Sequence, residues 1–289
     1  MLSKDITCVI PVWGEYVRFL PEALESIHRQ SLPAEVIVVD NASDYALPPL
    51  RNARTLRLAA RVSTGEARNA GLESVRTPFV LFLDADDALL DGALEHLREV
   101  LRRRPEAVAA VGRMLDARSG SFHVNPRPFV GTLARHRHIL AALHAAWPVI
   151  PTQGCTLMRT QTARAGGGYH HVSVGEEWAL GFALSTRGAV VFSSRPVLSY
   201  RPSSTSISVR SVNRSLARAR GHITSDPSVP RAANLALPLL AVAQWSALYL
   251  ARPIVRGLRR LRAARLQPPP EGRNEVERHP HDPPRIGQR

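Results

Sequence analysis

Cysteine is nearly absent from this 289-residue chain. Cys8 and Cys155 stand far apart and show no metal-ligand spacing, which excludes a disulfide framework and a zinc site and makes a reducing compartment the expectation. Lysine is scarcer still: Lys4 is the only one, so the net charge of +14 is an arginine charge. The N-terminus, MLSKDITCVIPV, lacks a basic segment ahead of a long apolar run, so no signal peptide is read there and the cytoplasm is the expected location. Zinc-finger spacing, an RNA-binding strand signature and a recognition helix are also missing, so the basicity is not read as specific nucleic-acid binding. Acids, finally, are depleted from one part of the chain. The first 110 residues carry a net charge of −3 and the remainder +17, and between residues 117 and 270 there are 20 arginines against three acids, Glu176, Glu177 and Asp226.

What is present is an alternation of strand and helix patterns. ITCVIPV (6–12), EVIVVD (35–40), RTLRL (54–58) and FVLFLD (79–84) read as strands. Helical spacing runs through Phe19, Leu20, Leu24 and Ile27, and Ser63-Thr64-Gly65-Glu66 is a capping-box pattern that opens a helix through Glu73. Such alternation predicts an α/β fold with parallel pairing in an open, doubly wound sheet, whose ligands bind at the carboxyl ends of the strands. Three of those ends carry polar chemistry, at residues 11–15, 40–44 and 84–87.

The third end is the sharpest signal. VLFLDADDALLD drives an apolar strand into Asp84, Asp86 and Asp87. Like charges so close repel, so a cation is expected among them. Asp91 reads as a helix cap before GALEHLREVLRRR. Asp84 and Asp86, two residues apart, point the same way if the backbone is extended, a disposition suited to a metal ion or a nucleotide.

The series VIPVWGE, VVDNASD, STGEARNAGL, FLDADD and GGGYHHVSVGEEWALGFAL resembles, in order and spacing, the family 2 inverting glycosyltransferases with the GT-A fold, over about residues 5–205. It departs from them at three places: Gly14 stands for the usual Asn, Glu176-Glu177 for the usual Glu-Asp, and YRPSSTS lacks the His often found after the late Tyr-Arg. The resemblance implies a GT-A type, mostly parallel open sheet with an acceptor-side subregion and C-terminal helices. It divides the chain into a nucleotide-sugar half (1–112) and an acceptor and catalytic half (113–208), beyond which composition marks a helical region (209–266) and a disordered tail (267–289). It implies a nucleotide diphosphate sugar donor, UDP- or dTDP-linked, and Mn²⁺ or Mg²⁺ held by Asp86, with Asp84 on the ribose. Asp40 is expected to accept from a base N–H, or to hold an Asx turn in NASD, or both. Pro11, Val12 and Glu15 belong to the base pocket on this reading, and Arg68 approaches the base or the diphosphate. Glu177 is the implied general base, with Glu176 structural or on the acceptor. Trp178 is either a platform for a sugar face or a core residue. The glycines at 166–168 permit a tight loop near the sugar, and His170 and His171 read as loop surface.

The acceptor class stays open among glycans, lipid-linked molecules and small molecules. Residues 232–251 form an uncharged stretch near bilayer-spanning length, but Asn234, Pro238, Gln244 and Ser246 favour a packed or interfacial helix. The arginines that follow suit an anionic membrane surface. From Gln267 onward the composition is that of a disordered tail. The alternative to an enzyme is a basic membrane-binding or scaffold protein that retains the fold.

Overall fold

A computed structural model describes residues 4–122, 128–146, 148–169 and 176–202. The stretch 232–251, the tail from Gln267 and the pair His170 and His171 lie outside the described residues.

The four strands read from the sequence are present: β1 (Ile6–Val12), β2 (Glu35–Asp40), β3 (Arg54–Arg57) and β4 (Phe79–Phe82). β1 is buried along its whole length and β2 and β4 nearly so, because each is a run of β-branched and aromatic residues that packs on both faces. Four further strands complete the sheet: β5 (Ala88–Leu89), β6 (Ala107–Asp116), β7 (Thr156–Arg159) and β8 (Ala189–Tyr200), in the order β3-β2-β1-β4-β7-β6-β8-β5. The block β3-β2-β1-β4 is parallel throughout. β7 runs antiparallel to both β4 and β6, whereas β6 and β8 are parallel again. Strand order reverses between β1 and β4, where a doubly wound sheet opens its crevice.

Helices cover the sheet: α1 (Leu20–His28), α2 (Thr64–Ser74), α3 (Ala93–Arg103), α4 (Pro128–Leu133), α5 (Arg137–Ala146), α6 (Thr160–Ala165) and α7 (Glu176–Arg187). α1 buries Leu20, Leu24 and Ile27, the spacing read from the sequence, and is entered through a 3-10 turn, Gly14–Phe19. The capping box forms as expected: Ser63 Oγ accepts from the Glu66 amide, and the Glu66 carboxylate accepts from the Ser63 amide.

Two expectations are corrected. Asp91 does not cap α3; the cap position is Gly92, in the left-handed region at φ 69°, and the exposed Asp91 carboxylate lies 3.8 Å from Arg29. Nor is the DADD segment extended, because the Asp87 amide donates to the Asp84 carbonyl at 3.1 Å and closes a turn. The strand-geometry argument for a shared direction of Asp84 and Asp86 therefore does not apply, although a turn also brings them together.

α2 crosses β1 and β2 at Gly71, where a Cβ would intrude on Val9 Cγ1 and lie 3.0 Å from Val39 Cγ2. Both neighbours are stiff, β-branched core residues that cannot swing aside. Gly71→Ala is expected to destabilise the protein by about 1–3 kcal/mol, the usual cost of overpacking, read as a lower denaturation midpoint in urea.

Candidate active site

The acid turn, Asp84–Asp87, sits at the carboxyl end of β4, beside the end of β1. Its charges are handled unequally. The Asp84 carboxylate accepts from Arg68 Nη2 at 2.5 Å. Asp87 is buried and accepts from the Arg201 amide at 2.9 Å; burial, then Asp84, pushes its carboxyl well above the usual range. Asp86 forms no ion pair among the described residues, and burial with the neighbouring Asp84 pushes its carboxyl up to about 6. Two phenols face the same negative charge. Tyr16, from the 3-10 turn, and Tyr200, at the end of β8, are both raised by burial first and then by these aspartates.

Whether this turn suits a divalent cation can be judged from its donor set. Three carboxylates lie within four residues; Asp84 is paired with Arg68, which is shared with Glu176, whereas the Arg201 guanidinium binds the Asp86 carbonyl and the Glu22 carboxylate. The turn thus keeps an excess of hard oxygen donors, which fits Mn²⁺ or Mg²⁺. Among the described residues no group of three or more His, Cys, Asp or Glu side chains is placed to hold a metal ion by itself.

Arg68 is not the surface residue that its place in a capped helix would suggest. It is 3% exposed, and its second terminal nitrogen, Nη1, donates to Glu176 at 2.9 Å. Its guanidinium lies over the ring of Tyr169, 5.0 Å from the centroid. Burial opposes its charge, but Asp84, Tyr169 and Glu176 outweigh that and raise its pKa. The bridge joins the acid turn to the first turn of α7, segments that the sequence alone could not bring together.

Glu177 follows Glu176 on α7. Burial, and then the negative charge of Glu176, raise its carboxyl toward neutrality. Desolvation thus exceeds the helix-end effect that favours an ionised acid in the first turn of α7. Trp178 takes the core role of its two alternatives. It is 2% exposed, and its indole N–H donates to the His144 carbonyl, so no sugar face can lie on it.

At the end of β2, Asp40 faces Val12 across the β1–β2 pair. One carboxylate oxygen accepts from the Ser43 amide at 2.9 Å, the Asx turn foreseen for NASD, and the other pairs closely with Arg57. Pro11 and Val12 are buried in β1. Trp13, directly after them, is half-buried, with Arg61 5.3 Å from its ring centroid and the Tyr16 ring tilted against it at 52°, centroids 5.2 Å apart. Glu15 stands apart from this cluster, its side chain 72% exposed and 3.7 Å from Arg18. Asn69 serves chain path: its side chain binds the Tyr169 amide and carbonyl, both at 2.8 Å. Gly167 and Gly168 take the left-handed conformations, φ 80° and 67°, that let the chain turn there.

Sequence reasoning missed Tyr169, Tyr200, Arg201 and His144. Tyr200 and Arg201 could have been suspected from the Tyr-Arg of YRPSSTS, Arg201 above all. Arg201 donates from its amide to Asp87, from Nε to the Asp86 carbonyl at 3.0 Å and from Nη2 to Glu22 at 2.5 Å.

Comparison with known proteins points one way. Residues 7–161 match the family model described as Glycosyl transferase family 2. The fold is similar to that of S. aureus TarS 1-349 crystallised with UDP-GlcNAc: TM-score 0.61 at 14% identity, over 82% of this chain and 70% of that one. The same fragment crystallised with UDP gives 0.57 at 14% identity, over 82% and 69%. A longer S. aureus TarS structure gives 0.57 at 16% identity, over 80% of this chain and 41% of that one. No curated protein matches the chain.

Replacing the buried guanidinium tests the bridge. Arg68→Met strands two carboxylates and is expected to cost about 3–5 kcal/mol of stability, read from urea unfolding with an unchanged slope. Arg68→Lys should recover only part, since one ammonium cannot present the fork that spans both acids.

Proposed function

Because the chain belongs to glycosyl transferase family 2, and so is a glycosyltransferase working from a nucleotide sugar, we propose that it is a metal-dependent inverting enzyme with Glu177 as general base. The observation that carries this reading is the Arg68 bridge, which sets the glutamate pair of α7 beside the acid turn of β4. Family membership decides against a non-catalytic scaffold.

In this mechanism the donor lies across the carboxyl ends of β1, β2 and β4. The base pocket takes in Pro11, Val12 and Asp40, with Glu15 at its rim; Asp84 faces the ribose and Asp86 would hold the ion. When bound, Mn²⁺ or Mg²⁺ neutralises charge on the departing diphosphate. Glu177 takes the proton of the acceptor hydroxyl as that oxygen attacks the anomeric carbon, and the bond to the diphosphate oxygen breaks on the opposite face, inverting the centre. A base raised toward neutrality is well matched to this work, since it is ionised near the operating pH yet basic enough to accept the proton. Glu176, already held by Arg68, orients the helix and does not take the proton.

The donor is a UDP-sugar on this reading, supported by the UDP-GlcNAc and UDP held by the TarS structures, with dTDP-sugars as the alternative. The acceptor belongs to cell-surface glycan, glycolipid or secondary-metabolite synthesis. A peripheral position on the inner face of the cell membrane rests on residues 232–251 and the arginines after them. No helix among the described residues is long and apolar enough to cross a membrane.

Two experiments test the assignment. Thermal stabilisation by UDP that depends on Mn²⁺ should largely vanish in Asp86→Ala, and undiminished metal-dependent stabilisation would reject the ligand. Glu177→Gln should bind donor normally while transfer falls by roughly 10² to 10⁴. Glu176→Gln should lose much less. It also removes the like charge that raises Glu177, so the acid limb of its pH–rate profile should move to lower pH. An unmoved limb, or a dead Glu176→Gln beside an active Glu177→Gln, would reassign the base.

A further inference from the structure

We propose that His144 is a positioning residue for the transfer reaction: its imidazole fixes the first turn of α7, and with it the Glu177 carboxylate, against α5 and the segment 148–150. The inference rests on the reading of Glu177 as the base.

The ring is completely buried and hydrogen-bonded through both nitrogens. Nδ1 accepts from the amides of Val149 at 3.0 Å and Ile150 at 3.2 Å. A nitrogen that accepts from two N–H groups carries no proton, so the proton is on Nε2, which donates to the Trp178 carbonyl at 3.0 Å. One neutral tautomer satisfies all three contacts. Its neutrality agrees with burial, which pulls the imidazole down to about 4. The backbone of His144 closes the join, since its carbonyl accepts the indole N–H of Trp178. Two hydrogen bonds of opposite sense thus link the same two residues across the α5–α7 contact. α7 makes room for the ring with Gly181, where a Cβ would lie 2.5 Å from Nε2 and 2.6 Å from Cε1.

The placement matters because of what lies between the anchors. Arg68 holds Glu176 on one side and His144 holds Trp178 on the other, leaving Glu177 bracketed by two fixed neighbours. Val149 and Ile150 have buried amides that need an acceptor, and an aliphatic side chain at 144 would leave them without one. A hydrophobic residue could fill the volume but could not join three segments.

Two near-isosteric substitutions separate the two ends of the ring. His144→Asn keeps an acceptor near Nδ1 and loses the donor to Trp178. His144→Gln keeps a donor near Nε2 and loses the acceptor. Each variant is assayed in the full chain with UDP-sugar and Mn²⁺, below its own melting temperature. His144→Asn is expected to lower kcat about 10- to 100-fold, the scale set by a misplacement of about 1 Å, with UDP affinity within about twofold. His144→Gln should retain kcat within about threefold. Equal kcat in the two variants, or a loss confined to UDP affinity, overturns the proposal. Glu177→Gln is run alongside. If it retains full transfer, the base reading has failed and the tie is judged by hydrogen exchange alone. Faster exchange of the α7 amides 179–183 in His144→Asn than in His144→Gln then supports the positioning role, and equal exchange overturns it.

Discussion

A guanidinium taken out of water must be neutralised where it sits, and the cleft of this protein is organised around that requirement at Arg68. Its fork is spent on two carboxylates from opposite halves of the chain, Asp84 and Glu176, with the Tyr169 ring against its face. Neither acid is then at liberty to do what its neighbour does. The residues next to the pinned acids, Asp86 and Glu177, keep a charge that burial makes costly, and they are the ones to which the chemistry is assigned. Pairing one member of each acidic cluster gives carboxylates close in sequence different surroundings.

That arrangement depends on the sheet changing direction. The parallel block β3-β2-β1-β4 gathers the ends of β1, β2 and β4 on one edge, as hydrophobic strands with crossover helices must. β7 then enters antiparallel beside β4, and the chain leaving it through α6 reaches the 166–168 turn. Asn69, one residue from Arg68, grips that turn through the Tyr169 backbone, so the second half of the chain is registered against the first by hydrogen bonds as well as by charge.

The first half was legible because its signals are local. Runs such as EVIVVD and a Ser63–Glu66 box specify strand and helix wherever they occur, and the acid-rich turn announces itself against an arginine-rich chain. The second half was less so. AVAAVGRMLD and AVVFSSRPVLSY are strands whose pairing, parallel to each other across a register shift, no local pattern predicts. Arg68 and His144 illustrate the limit: one looks like a helix-surface arginine, the other like one histidine among eleven, and their partners lie 108 and 34 residues away. Asp91 misled for the opposite reason, since a favourable cap residue lost its place to a glycine whose left-handed backbone set the turn.

Much of the arginine has a quieter role. Arg159 donates to the carbonyls of Pro105 and Ala107, Arg164 to those of Leu72, Glu73 and Val75, and Arg187 to that of Ala165. The border strand β3 carries Arg54 and Arg57 on a short, exposed ladder, with Arg54 turned to the Ser74 carbonyl. An open strand flanked by fixed positive charge repels a second copy of itself, because docking would bring like charges face to face and strip them of water. Arg54, which finishes the end of α2, thereby also guards a sheet border against self-association, and crowding this protein to high concentration should not recruit β3 into a shared sheet.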